Sequence, residues 1–420
     1  MNAGHERVKS IFYNNKKVME NYFFMTILQI LNSLFYLFLY PYLIRTLGAE
    51  NYGLYVFAFS IVTYFITIIN FGFDLPAVKS IAENADNRFG KEKTLSNVFT
   101  AKVYLGIISS MLFVLIVLFI PSFRNNWLIY FICFGQSITN IMFPQWFFQG
   151  IQRMRTVTFI QLIFKLISLI FIFLYVKQDD DIVIFTFIMT ITSISGALIA
   201  AYIIRYKEGL LIRWSNFSDV KQYIKHALPF FGGNSMIVIK QQSAMVILGV
   251  FFSMKDVALY DLAVKIFTVP SVLVASINNA LFPKVVVHED ISVIVKKIIK
   301  IENLIGICIF LLLVMFGKWI IYFMGGSIML DAYPLLVILS FGIFAQLTVG
   351  AICNFVFIPR NENNYIVKNQ FVAVVIFFLI AITGILLSLG VYVVPLALTL
   401  SVISELIYTH IIVKRNKMLN

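Results

Sequence analysis

The sequence predicts an all-α membrane protein of twelve transmembrane helices in two six-helix lobes, the second a parallel repeat of the first. Three observations predict it. Of 420 residues, 60% are hydrophobic and 13% charged, with a mean hydropathy of +0.90. A soluble domain needs far less apolar residue. Twelve apolar runs each have about the 20 residues that a helix needs to cross the hydrocarbon. Lysine and arginine gather in alternate connecting segments, 24 on one side against 4 on the other. That asymmetry places both termini in the cytoplasm.

The runs are 22–44, 54–76, 98–120, 127–148, 157–176, 182–204, 228–252, 258–282, 304–324, 333–358, 366–388 and 391–413. Each core is expected to be helical, because backbone groups in lipid must pair within their own segment. The first run exceeds a signal-peptide core and ends in Arg45 with no small-residue cleavage site, so it is expected to remain as the first span. Helical spacing gives several spans a polar face. Gln29, Asn32, Tyr36 and Tyr40 share one on the first; Thr63, Thr67, Asn70 and Asp74 share one on the second. Gln136 and Asn140 do so on the fourth, and Gln161, Lys165 and Ser168 on the fifth. The seventh carries Lys240 at its centre. The eighth aligns Asp261, Lys265, Thr268, Val272, Ser276 and Asn279 on one stripe. A charged stripe in a segment fit for lipid must face protein or a water-filled cavity.

Two cytoplasmic stretches are amphipathic. Trp214, Phe217, Val220 and Ile224 form one apolar face, and Ile291, Ile294, Val295 and Ile298 another, beside Lys296, Lys297 and Lys300. Both are expected to lie on the inner leaflet. A shift of 205 residues lays Leu54-Tyr55-x-x-Ala58 on Leu259-Tyr260-x-x-Ala263 and the first span on the seventh. Two lobes follow, 1–213 and 214–420, each of six spans entered from the cytoplasm.

Five lysines fall within spans. Lys102 and Lys318 lie near span ends, where they can snorkel. Lys165 and Lys240 lie near mid-span and either line a cavity or pair with a carboxylate. Lys265 has such a carboxylate four residues back in Asp261, so an intrahelical pair stands beside substrate contact. The span carboxylates are Asp74, Asp261 and Glu405; Asp74 is a solvated end or a coupling group, and Glu405 pairs with a lysine or accepts a proton. The net charge of +13 is spread between apolar runs, so no nucleic-acid partner is expected. The histidines and the three cysteines have no metal-ligand spacing, and no glycine loop cradles phosphate. Neither a metal, a nucleotide nor a catalytic group is expected.

Several motifs resemble the O-antigen and polysaccharide flippases, the Wzx-type members of the multidrug/oligosaccharidyl-lipid/polysaccharide exporter superfamily. They are the stretch Gln145-Trp146-Phe147-Phe148-Gln149-Gly150-Ile151-Gln152-Arg153-Met154; the stretch from Arg45 to Gly53; Leu228-Pro229-Phe230-Phe231; and Leu281-Phe282-Pro283-Lys284. Gln152 departs from the acidic residue expected there. The resemblance implies two lobes in a V around a central, positively charged cavity, working by alternating access. It implies a substrate of undecaprenyl diphosphate bearing an oligosaccharide, carried to the periplasmic leaflet of the bacterial inner membrane. Membrane lipids, a polysaccharide polymerase and a chain-length regulator are the partners implied. Lys165, Lys240 and Lys265 suit the diphosphate, with Gln29, Asn32, Gln161 and Asn279 for the sugars; coupling to protons or sodium suits Asp74, Asp261 or Glu405. A cation-coupled multidrug exporter of the same fold would favour an acidic cavity. A polymerase or glycosyltransferase would show a long outer loop or paired catalytic groups, and a lipid II flippase two further spans.

Overall fold

The computed structural model describes the backbone of residues 2–286 and 291–419. Side chains are described for 20–278 (Tyr22 apart), for Leu281, Phe282 and Val285, and for 292–419. The side chains of His5, Asn279, Pro283, Lys284, His288 and Ile291 therefore lie outside the described residues. Among those described, regular structure is helical throughout. In chain order the helices are α1 (Asn2–Asn70), α2 (Asp74–Glu83), α3 (Arg88–Phe119), α4 (Pro121–Arg124), α5 (Trp127–Met142), α6 (Gln145–Gly150), α7 (Met154–Tyr175) and α8 (Ile182–Tyr206). Then come α9 (Phe217–Phe251), α10 (Met254–Val286), α11 (Ile291–Gly325), α12 (Ala332–Ser340), α13 (Ile343–Ile352), α14 (Asn363–Leu386) and α15 (Val393–Arg415).

Eleven helical stretches among the described residues are long and apolar enough to span a membrane. The first of them, Phe23–Glu83, holds two of the twelve expected spans. They meet at Gly48, whose φ of 74° and ψ of 168° break the helix in a region open essentially to glycine alone. The 205-residue shift places Gly48 on Ser253, in the gap between α9 and α10. The same helix–break–helix thus occurs at matching positions in both halves. Many large apolar side chains, Phe119, Trp319, Phe323 and Leu386 among them, stand exposed on the helices. On a multi-pass membrane protein these are the surfaces that meet lipid.

The chain divides into two compact units, each drawing on several segments. The first holds residues 1–31, 65–175 and 183–231. Its core gathers Phe73, Ala77, Ile81, Trp146, Phe147 and Phe148. α6 reaches α2 closely: a Cβ on Gly150 would meet the Ile81 side chain at 2.7 Å. The motif from Gln145 to Met154 is therefore a packing hub of this unit. The second unit holds residues 32–64, 176–182 and 232–420. Here a Cβ on Gly53 would lie 1.8 Å from the Met254 carbonyl oxygen, so glycine lets the first turn of α10 meet α1.

Three expectations change. The stretches foreseen on the inner leaflet are the leading turns of α9 and α11, each helix having 35 residues. At 1.5 Å per residue such a helix is about 50 Å long, well beyond the ~30 Å hydrocarbon. Val220 and Val295 are fully buried, and Ile224, Ile294 and Ile298 pack beside them, because these leading turns find protein to cover them. Trp214 precedes α9, stays exposed and donates to Tyr104 Oη at 3.2 Å. The fourth span breaks at Phe143-Pro144 between α5 and α6, and the tenth at Phe341-Gly342 between α12 and α13. The second span ends at Asn70, where Phe71 and Gly72 take positive φ.

Candidate functional site

Among the described residues, two charged clusters of the second unit lie within its spans. In one, Asp261 and Lys265 lie one turn apart on α10 and form an ion pair. Tyr52 on α1 donates to Asp261 Oδ2 at 2.7 Å, and its oxygen accepts from Lys265 Nζ at 2.8 Å. The ammonium also sits over the rings of Tyr36, Tyr40 and Tyr52 at 5.3, 5.8 and 5.5 Å. Ring faces carry negative charge density, so the three tyrosines form a partial cage for the cation. Tyr40 is held in turn by its hydroxyl on the Ala258 carbonyl, 3.1 Å away. The second cluster joins α9, α14 and α15. Lys240 pairs with Glu405, each of them buried, and Gln370 Nε2 donates to Glu405 Oε2 at 3.2 Å.

Each mid-span lysine of this unit thus has its carboxylate. Of the alternatives open from the sequence, the structure places Lys265 with Asp261 and Glu405 with Lys240. Asn32 is half-buried, and its Oδ1 finds no donor among the described residues. Asn279 lies on α10 near Ser276, with its side chain outside the described residues.

The first unit holds a third cluster, which the sequence did not bring out. Lys102 was expected to snorkel, yet only 3% of it is exposed. Its ammonium donates to Asn70 Oδ1 at 2.9 Å and to the Asn140 carbonyl at 3.1 Å. Asn70 Nδ2 bonds Asn140 Oδ1 at 3.3 Å. The nearest span end lies about one turn away in sequence, but residues 94–98 of α3 are themselves buried there, so packed helices cover the lysine. Asn70 and Asn140 were foreseen on polar faces, and they are what the ammonium found. The lysine also lines a pocket of about 210 Å³ with Leu95, Phe99, Met142 and Trp146. Lys165 and Gln161 are half-buried on α7, and Gln29 is exposed on α1. Asp74 is exposed in the first turn of α2, beyond the end of the second span, where the helix N-terminus favours its charge.

A more polar pocket of about 420 Å³ lies in the first unit at the end of the Gln145–Met154 motif. Asn21, Arg153, Arg155, Lys207 and Glu208 line it. Arg153 pairs with Glu208, and Asn21 Oδ1 accepts from the Met154 amide at 2.9 Å, capping α7. Among the described residues no cluster of three or more metal-ligating side chains forms.

Known proteins match this architecture. Residues 18–287 match the family described as "Polysaccharide biosynthesis protein". A protein of Escherichia coli (strain K12) named "Putative O-antigen transporter" is 26% identical over 298 residues, covering 70% of this chain and 72% of the relative. One of the same name from Shigella dysenteriae is 26% identical over 290 residues, covering 68% and 72%. Among solved structures, an inward-facing multidrug resistance MATE family transporter of the MOP superfamily matches with a TM-score of 0.68 at 13% identity, over 93% of this chain and 99% of that one. The lipid II flippase MurJ, in an inward closed conformation, matches with a TM-score of 0.62 at 16% identity, over 94% and 87%. At these identities the two structures share the fold.

Proposed function

The chain belongs to the polysaccharide biosynthesis protein family, and from that premise we propose that it is a flippase for oligosaccharide repeat units linked to undecaprenyl diphosphate. It moves them from the cytoplasmic to the periplasmic leaflet of the bacterial inner membrane by alternating access, with both termini in the cytoplasm. The family match carries the reading, supported by relatives named as O-antigen transporters. The charge balance of the spans, five lysines against three carboxylates, favours an anionic cargo over a cationic drug.

Lys240 and Lys265 suit a diphosphate only if it displaces Glu405 and Asp261. That is an exchange of one anion for another at a fixed cation. Two unit charges 4 Å apart attract by roughly 4 kcal/mol at an effective dielectric of 20, so neither the resting pair nor the loaded one is a deep trap. The tyrosine faces around Lys265 keep it solvated while the exchange happens. Lys165, with Gln29, Asn32, Gln161 and Asn279, is proposed to complete the contact with headgroup and sugars. A proton or sodium gradient, or removal of the product outside, supplies the driving force. A polymerase and a chain-length regulator are proposed to take up the product.

Deletion of the gene tests the reading. Lipid-linked repeat units should accumulate on the inner leaflet while their synthesis continues and surface polysaccharide disappears. A deletion strain with no lipid-linked units at all would place the protein earlier, as an enzyme. An unchanged polysaccharide with increased sensitivity to cationic drugs would make it a multidrug exporter.

A further inference from the structure

Three carboxylates were foreseen within the spans, and each is accounted for. Asp261 and Glu405 are paired with lysines, and Asp74 is exposed. A fourth, Glu302, is different. It lies on α11, two residues before the ninth apolar run begins, in the segment that the lysine count gave to the cytoplasm. Yet only 3% of it is exposed, and neither carboxylate oxygen accepts a hydrogen bond from a described residue. Asn278 of α10, itself 4% exposed, lies against it outside hydrogen-bond geometry. The adjacent Asn303 Oδ1 is already taken by the Thr348 hydroxyl at 2.8 Å.

Among the described residues no charge on the neighbouring helices compensates it. Among the described residues α13 has no titratable side chain, and α12 has only Tyr333, which donates to the Val314 carbonyl at 2.8 Å. On α10 the nearest described charge is Lys265, 13 residues before Asn278, or about 20 Å along the helix. The Lys284 side chain of α10 lies outside the described residues. On α11 itself Lys296, Lys297 and Lys300 are exposed and form no ion pair with it. A carboxylate ion held this way would bear an uncompensated desolvation cost of several kcal/mol. A cation must therefore travel with it. A hard metal ion takes about six oxygen ligands, and this site offers Glu302 and Asn278. A proton needs a single oxygen.

We infer that Glu302 carries an exchangeable proton, taken up and released in the transport cycle, and that Asn278 is the polar neighbour that accommodates both forms. This rests on the flippase reading for what the proton drives, but not for the proton itself. Infrared spectroscopy of the purified full-length protein, without substrate, tests the proton directly. Wild type should show a protonated-carboxyl carbonyl band that disappears on alkalinisation, shifts in deuterium oxide, and is absent from Glu302→Gln. Glutamine copies the protonated shape, so the variant is expected to insert normally. If it does not, Glu302→Asp keeps the carboxyl on a shorter stem and should displace the band instead. In proteoliposomes, a proton gradient should accelerate flipping of a lipid-linked oligosaccharide by wild type and leave Glu302→Gln unresponsive. A band that is missing from wild type or persists in Glu302→Gln overturns the inference, as does one abolished by sodium at constant pH. A protein with the titrating band that flips no lipid-linked saccharide would overturn the flippase reading and leave the proton site standing.

Discussion

At Lys265 one ammonium meets a carboxylate, a phenol oxygen and three ring faces. Removing it strands Asp261, which is 7% exposed and keeps only the Tyr52 hydroxyl as a donor among the described contacts. Breaking such a buried pair costs about 3–5 kcal/mol. Lys265→Ala should therefore lower the thermal midpoint of the purified protein, and adding Asp261→Asn should recover most of the loss. The exchange mechanism makes a separate forecast for transport: the double variant regains stability yet flips poorly, because the cation is still missing. Full flipping by the double variant at equal membrane level would reduce the pair to a structural role. The Lys240–Glu405 pair should behave likewise, and there Gln370 limits the damage by keeping one donor on Glu405.

On the scale of helices, glycines decide where segments break and where they touch. Gly48 holds a φ that other residues adopt only under strain, although a Cβ there would meet open space. Gly48→Ala should cost about 1–3 kcal/mol from the backbone alone. Gly53 has the opposite problem, an ordinary helical backbone with the Met254 carbonyl against its Cα. Gly53→Leu must push α10 off α1, and the variant should fail to accumulate in the membrane. Gly232 on α9 is the contrasting case, since a Cβ there meets nothing within 4 Å. Gly232→Ala should raise helix stability by up to about 1 kcal/mol. The thermal midpoint should fall for Gly48→Ala and rise for Gly232→Ala, and the membrane level should be lowest for Gly53→Leu; a well-tolerated Gly53→Leu would refute the close approach.

Across the whole molecule, the distribution of basic residues makes the remaining forecast. With 24 lysines and arginines on one side and 4 on the other, a cysteine introduced at Arg213 should resist an impermeant thiol reagent in intact cells. One introduced at Lys255 should react. Labelling of the Arg213 site would invert the topology, and with it the direction of transport proposed here.

Composition and periodicity alone determined the fold class and the approximate span positions, with the polar faces that helical spacing gives them, because lipid imposes one rule on every helix: apolar outside, backbone paired within. That rule is local, so a single chain displays it. The family was likewise visible in short motifs, whose physical basis the fold then supplied, with Gly150 against α2 and Gly53 against Met254. Tertiary structure alone decided which charge meets which. Lys240 and Glu405 are 165 residues apart in sequence, and no spacing rule joins them. Lys102 was misjudged for the same reason. Its distance from a span end suggested water, but burial depends on which neighbouring helices cover that end, and that is settled only when the helices pack.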